Sequence, residues 1–158
     1  MTDARFEDGA DLALTLKAET AEDLGVLSAL VQDAVLTGTD MAWDRRGRVL
    51  SLLVNRFRWE DLTAAERAQR PYERVRSVLT IGDVLTVASQ GIDRHDGDLI
   101  LSILSMDWEQ GTDGAGRLVL TLAGDGAIAV AAEWLNVTLA DVTRPYLAPS
   151  GHVPRHPD

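Results

Sequence analysis

The chain has no cysteine, which excludes disulfides, thiolate metal sites and cysteine nucleophiles. It has no apolar run longer than a few residues, so no segment reads as a membrane span. The acidic stretch Met1 to Asp11 lacks the apolar core of a signal peptide. Of the five prolines, four follow Arg144, and the body of the chain is almost free of that breaker. No Gly-x-Gly-x-x-Gly, phosphate-loop or Gly-x-Ser-x-Gly pattern occurs. His95 is the one histidine before the proline-rich run, so a nucleophilic triad is hard to assemble. The reading is a cytoplasmic protein with no catalytic residue, metal or cofactor assigned.

What is present is ordinary for one globular domain: 158 residues, 46% hydrophobic and 25% charged. A chain of this length buries roughly two thirds of its unfolded surface without a covalent staple. Acids outnumber bases 25 to 15, for a net charge of −10. That balance argues against nucleic acid as a partner, because phosphate contacts need a basic face. The charge is segregated, however. Residues 1–43 carry a net −7, residues 44–76 carry nine arginines and a net +4, and residues 77–158 carry a net −7. Every base but Lys17 is arginine. With abundant alanine and glycine, that bias reflects a GC-rich genome more simply than a selection for forked donors.

Residues 1–10 read as a frayed end, 11–145 as a single domain, and 146–158 as a flexible proline-rich tail. Asp11–Glu19 alternates like a half-buried strand. Thr20 and Asp23 form an acidic variant of a capping box. A helix follows over about 21–33, with Leu24, Leu27, Leu30 and Val31 on one stripe that Val35 extends. Strands are predicted at 41–43, 49–57, 74–81, 84–89, 99–108, 118–123 and 127–133. The run 49–57 is apolar on both faces and reads as a central strand covered on both sides. Thr63 and Glu66 suggest a second capping box in a short helical turn. Gly124-Asp125-Gly126 is a hairpin signal, and residues 134–142 suit either helix or strand. The fold class is α+β, mainly antiparallel β: a strongly bent sheet or partly open barrel of six to eight strands, with one covering helix near the N-terminus.

Five strings carry a resemblance: Gln32-Asp33-Ala34-Val35, Asp40-Met41-Ala42, Asn55-Arg56-Phe57-Arg58-Trp59-Glu60, Ser89-Gln90-Gly91-Ile92-Asp93 and Gly126-Ala127-Ile128. In this order and spacing, across residues 32–128, the chain resembles a small bacterial domain family of unknown function. The resemblance implies no activity and no site residues.

The basic island is the most informative feature. Arg56 and Arg58 lie at one strand's end, and Arg74 and Arg76 at the next strand's start. If those strands pair antiparallel, the four guanidiniums can meet, near Arg67 and Arg70, with Trp59, Phe57 and Tyr72 adding stacking. A converging cluster suits phosphate or carboxylate. The alternative is that these arginines pair with the chain's own acids, such as Glu60, Asp61 and Glu73. Asp93-Arg94-His95-Asp96-Gly97-Asp98 has the letters of a cation loop but not the spacing of an EF-hand, and an Asp-Gly turn explains it equally. His152 and His156 flank Pro154 and read as solvated. Asn55 and Gln90 either bond backbone or line a pocket. The four tryptophans, Trp43, Trp59, Trp108 and Trp134, fall near strand ends and suit core or interface.

Three functions are therefore carried forward. The first is a non-catalytic interaction or accessory domain that binds a protein partner, or itself as a homodimer, through a sheet edge or the Arg–aromatic patch. The second is a module for a small anionic metabolite held by Arg56, Arg58, Arg74 and Arg76 with Trp59. The third is an acid–base enzyme using Asp93 or His95. Neither nucleic acid nor a membrane is expected as a partner.

Overall fold

The computed structural model describes residues 13–93, 96–148 and 153–154. They form one antiparallel sheet of eleven strands with two α-helices. In chain order these are β1 (Thr15–Ala18), α1 (Ala21–Leu30), β2 (Val35–Thr37), β3 (Met41–Asp44), β4 (Val49–Phe57), α2 (Leu62–Arg67), β5 (Glu73–Ile81), β6 (Val84–Gln90), β7 (Ile100–Gln110), β8 (Gly116–Leu122), β9 (Ala127–Ala132), β10 (Val137–Asp141) and β11 (Tyr146–Leu147). The spatial order is β1-β10-β5-β4-β2-β7-β8-β9-β6, with β3 also on β4 and β11 also on β5. The sheet does not close, because among the described residues the end strands β1 and β6 pair with β10 and β9 alone.

Eleven strands replace the expected six to eight. Eight coincide with predicted runs, and the additions are β2, β10 and β11. Two of the additions span only two or three residues, too few for any periodicity to register. The chain expected to leave the domain at residue 146 is paired there: Tyr146 lies opposite Arg74, and the Ala148 amide donates to the Tyr72 carbonyl over 2.9 Å. The ambiguous stretch 134–142 is strand. Val137–Asp141 fills the slot between β1 and β5, and that non-local pairing decides against helix.

Helix α1 starts where its cap predicts. The Asp23 amide donates to Thr20 Oγ1 at 3.1 Å, which satisfies one of the orphan donors of the first turn. It ends three residues earlier than its apolar stripe suggests. Asp33 takes a φ of 64°, and the chain turns into β2 through paired bonds with Ile103 on β7. The second capping box is not formed: Thr63 lies inside α2, whose N-cap is Asp61.

The core is built from both halves of the sheet. Leu50, Leu52, Val54, Leu79, Ile81, Val137 and Leu139 come from one half, and Leu118, Leu120, Leu122, Ile128 and Val130 from the other, with Leu24 and Leu27 of α1 packed among them. Strand β4 is central and fully buried along one face, whereas its other face is buried only at Phe57. Leu50, Leu52 and Val54 are buried, while Val49 and Leu53 on the other face are only half-buried. The two halves join through β2, which pairs with both β4 and β7, and again where β5 passes into β6 and β9 into β10. There the Gly82 amide donates to Asn136 O, the Glu133 amide to Asp83 O, and Asn136 Nδ2 to Asp83 Oδ2. A Cβ at Gly82 would come within 2.7 Å of Asn136 Nδ2, so glycine permits this close approach.

Candidate functional site: a cavity between two open strand edges

Strands β4 and β5 pair antiparallel as expected, with Phe57 opposite Arg74 and Asn55 opposite Arg76. Residues directly opposite share a face, and neighbours along a strand alternate. Arg56 lies opposite Val75, so Arg74 and Arg76, which flank Val75, point to the other face. The register therefore separates the guanidiniums that the sequence places side by side.

Arg56 continues the buried row Leu50, Leu52 and Val54 and is 0% exposed. Its Nε donates to Ser77 Oγ (3.0 Å), its two Nη groups to both Glu60 oxygens (2.8 Å each), and Nη2 to Asp141 Oδ1 (3.0 Å). Asp141 also accepts from Ser77 Oγ (2.6 Å) and from the Leu14 amide (2.9 Å). Burial works against the Arg56 charge, but the hydrogen bonds and charges of Glu60 and Asp141 outweigh it and hold its pKa above the usual arginine value. Arg58, also buried, donates to Glu73 Oε1 over 2.6 Å. Arg70 makes a fork onto both oxygens of Asp61, 2.6 Å each. That hydrogen bond is the main cause that lowers the Asp61 pKa. Burial opposes it, and the charges of Arg58 and Arg70 reinforce it.

Arg74 differs from these. Its Nε and Nη2 donate to Asn55 Oδ1 and Asn55 O (2.6 and 2.9 Å), and Asn55 Nδ2 donates to Tyr146 Oη (2.6 Å). It forms no ion pair among the described residues, and burial lowers its pKa against the opposing charges of Tyr146 and Asp33. Arg76 is exposed. Trp59 is tied into the fold, with Nε1 donating to Gln32 O at 2.9 Å and the ring centroid 4.7 Å from that of Phe57. Of the five residues singled out in the sequence, Arg56 and Arg58 are buried in ion pairs, Trp59 packs on Phe57, and Arg74 and Arg76 share the opposite face.

The concave site lies elsewhere. A cavity of about 460 Å³ is walled by Met41 and Trp43 of β3, Val87 and Ser89 of β6, and Leu50, Leu101 and Ile128 from the core. Gly38, Thr39, Ile92, Asp93, Asp96, Gly97 and Leu99 ring its remaining side. Among the described residues β3 pairs with β4 alone, and β6 with β9 alone. Each therefore keeps one edge unpaired by any described strand, and both strands line this gap. The gap is bounded at one end by the Val84 amide donating to Arg48 O (2.9 Å) and at the other by the Thr39 amide donating to Gly97 O (3.3 Å). The volume falls in the range of small-ligand sites, and the walls are mainly apolar, as such sites require. Among the described residues the lining holds two carboxylates, Asp93 and Asp96, and no basic side chain.

The sequence reading missed this site because its walls come from strands far apart in the chain. One signal was available. Val84–Gln90 is uncharged and free of proline and glycine, an unusual composition for a strand that ends a sheet. The 93–98 segment, read as either a turn or a cation loop, supplies Asp93 and Asp96. Arg94, His95, His152 and His156 lie outside the described residues, and no group of three potential metal ligands occurs among the described ones. No helix of the described residues is long and apolar enough to cross a membrane.

A family described as "protein of unknown function (DUF2948)" matches residues 14–156, nearly the whole chain. The chain belongs to the DUF2948 family. The match agrees with the resemblance seen in the sequence strings and brings no activity with it. No curated protein and no solved structure shows a significant match to this DUF2948 chain.

Proposed function

We propose that this domain is a non-catalytic accessory protein that binds a partner at the cavity between β3 and β6. The observation that supports this reading is a cavity of about 460 Å³ with apolar walls and an open strand edge on each side. On this reading Arg56 and Arg58 have a different role. Arg56 and Arg58 are occupied by Glu60, Asp141 and Glu73, so they hold the fold together at the end of the core.

The test is a thermal-shift screen of peptides, amines, sugar phosphates and nucleotides against the wild-type chain and Val87→Trp, whose indole fills the cavity. A bound compound at a hundred times its dissociation constant stabilises the folded state by about 2.7 kcal/mol. On this reading a hit shifts the wild type and leaves Val87→Trp unmoved. A hit that survives Val87→Trp and disappears in Arg74→Ala supports the second reading, a module for a small anionic metabolite. That reading is favoured by one observation, the half-buried Arg74 guanidinium, which bonds Asn55 and forms no ion pair among the described residues.

A further inference from the structure

We infer that the cavity takes an extended peptide segment of a partner protein, added as a strand along the open edge of β6, with apolar side chains at alternate positions and a basic residue at the end that meets Asp96. This rests on the reading of the cavity as the binding site and names its occupant.

The first argument is the edge itself. Exposed strand edges are templates for pairing, and proteins blunt them with charge, proline or brevity. The other end strand, β1, is blunted: it has four residues and carries Lys17, paired with Glu19. Strand β6 has seven residues, Val-Leu-Thr-Val-Ala-Ser-Gln, without charge or proline. Leu85 is 48% exposed. In a chain that is 25% charged, that strand is left able to accept another.

The second argument is the pocket beside the edge. In strand addition, main-chain bonds supply affinity, and pockets for alternate side chains supply specificity. Val87 and Ser89, two apart on β6, both face the cavity. An added strand presents every second side chain to the same space, against Met41, Trp43 and Ile92.

The third argument is charge, and it selects the occupant. Asp96 lies at the cavity's rim, and the chain's net charge is −10, so a basic segment is drawn in and an acidic one repelled. The same charges act against a second copy of this chain. Two copies that each carry a net charge of −10 repel one another, which disfavours the second copy as the occupant.

The experiment uses the full chain and two seven-residue probe peptides that alternate valine and threonine, one ended by lysines and one by glutamates. Binding is read from tryptophan fluorescence, with Trp43→Phe identifying the reporter, and from hydrogen exchange of the β6 amides not bonded to β9. The neutral apolar dye N-phenyl-1-naphthylamine is titrated in parallel. The expected result is saturable binding of the lysine peptide, about tenfold tighter than the glutamate peptide at low salt, with slowed exchange along β6. Asp96→Asn then narrows the preference between the two peptides. Equal binding of both peptides, or binding without protection of β6, overturns the inference. If the dye still enters, the cavity reading stands while strand addition fails; if neither peptide nor dye perturbs Trp43, both fail. A dimer in sedimentation with β6 protected would instead make a second copy the occupant, which also overturns it.

Discussion

At the scale of single residues, the parity of a strand register decides what an arginine does. Arg56 and Arg74 belong to the same basic island, yet one residue of alternation buries the first and leaves the second on the opposite face. Removing Arg56 leaves the Asp141 carboxylate, 3% exposed, with its ion partner gone. Breaking a buried pair from one side typically costs about 3–5 kcal/mol, so Arg56→Met is expected to lower urea stability by that order. The exposed Arg76→Ala is expected to change it by less than about 0.5 kcal/mol. Asp61 adds a pH dependence. Its folded pKa lies below its unfolded one, so its contribution is complete above the unfolded value and is lost as pH falls through the folded one. Asp61→Asn should therefore narrow the stability difference between neutral pH and about pH 3, measured by urea melts across that range.

At the scale of elements, much of the local chemistry was legible, though not at Thr63, and most long-range pairing beyond β4 with β5 was not. The Thr20 cap and the 124–126 hairpin could be read directly. The Asp23 amide bonds Thr20 Oγ1, and Gly124 and Asp125 both take positive φ, 80° and 67°, in the short turn that joins β8 to β9. Thr20→Ala should cost about 1 kcal/mol. Strands β2, β10 and β11 were hidden because each owes its conformation to neighbours distant in sequence: Val35 to Asn55 and Ser102, Leu139 to Leu16 and Leu79, Tyr146 to Arg74. Gly91 tests the junction that carries the cavity's loop. Its φ is 68°, and a Cβ there would sit 3.0 Å from Asp125 O and Gly126 Cα. Gly91→Ala combines strain with a backbone contact, so it is expected to destabilise by more than about 1 kcal/mol in thermal melts.

At the scale of the whole molecule, the basic island and the acidic flanks were visible as charge blocks, but their purpose was not. Charge blocks report composition, whereas the site depends on which edges a sheet leaves unpaired. Strands β3 and β6 flank the same cavity because the two halves are held together twice, by β2 pairing with both β4 and β7 and by the Gly82–Asn136 contact where β5 passes into β6. The sequence showed an antiparallel β domain with a covering helix; it did not show that Met41, Trp43, Val87 and Ser89 share one space. The most direct test of that claim is an amide chemical-shift map of the full chain titrated with N-phenyl-1-naphthylamine. The account predicts saturable shifts at the cavity's lining, centred on β3 and β6 and reaching Leu50, Leu101 and Ile128, and their loss in Val87→Trp. Shifts centred instead on Arg74 and Arg76, or no shifts at all, would contradict it.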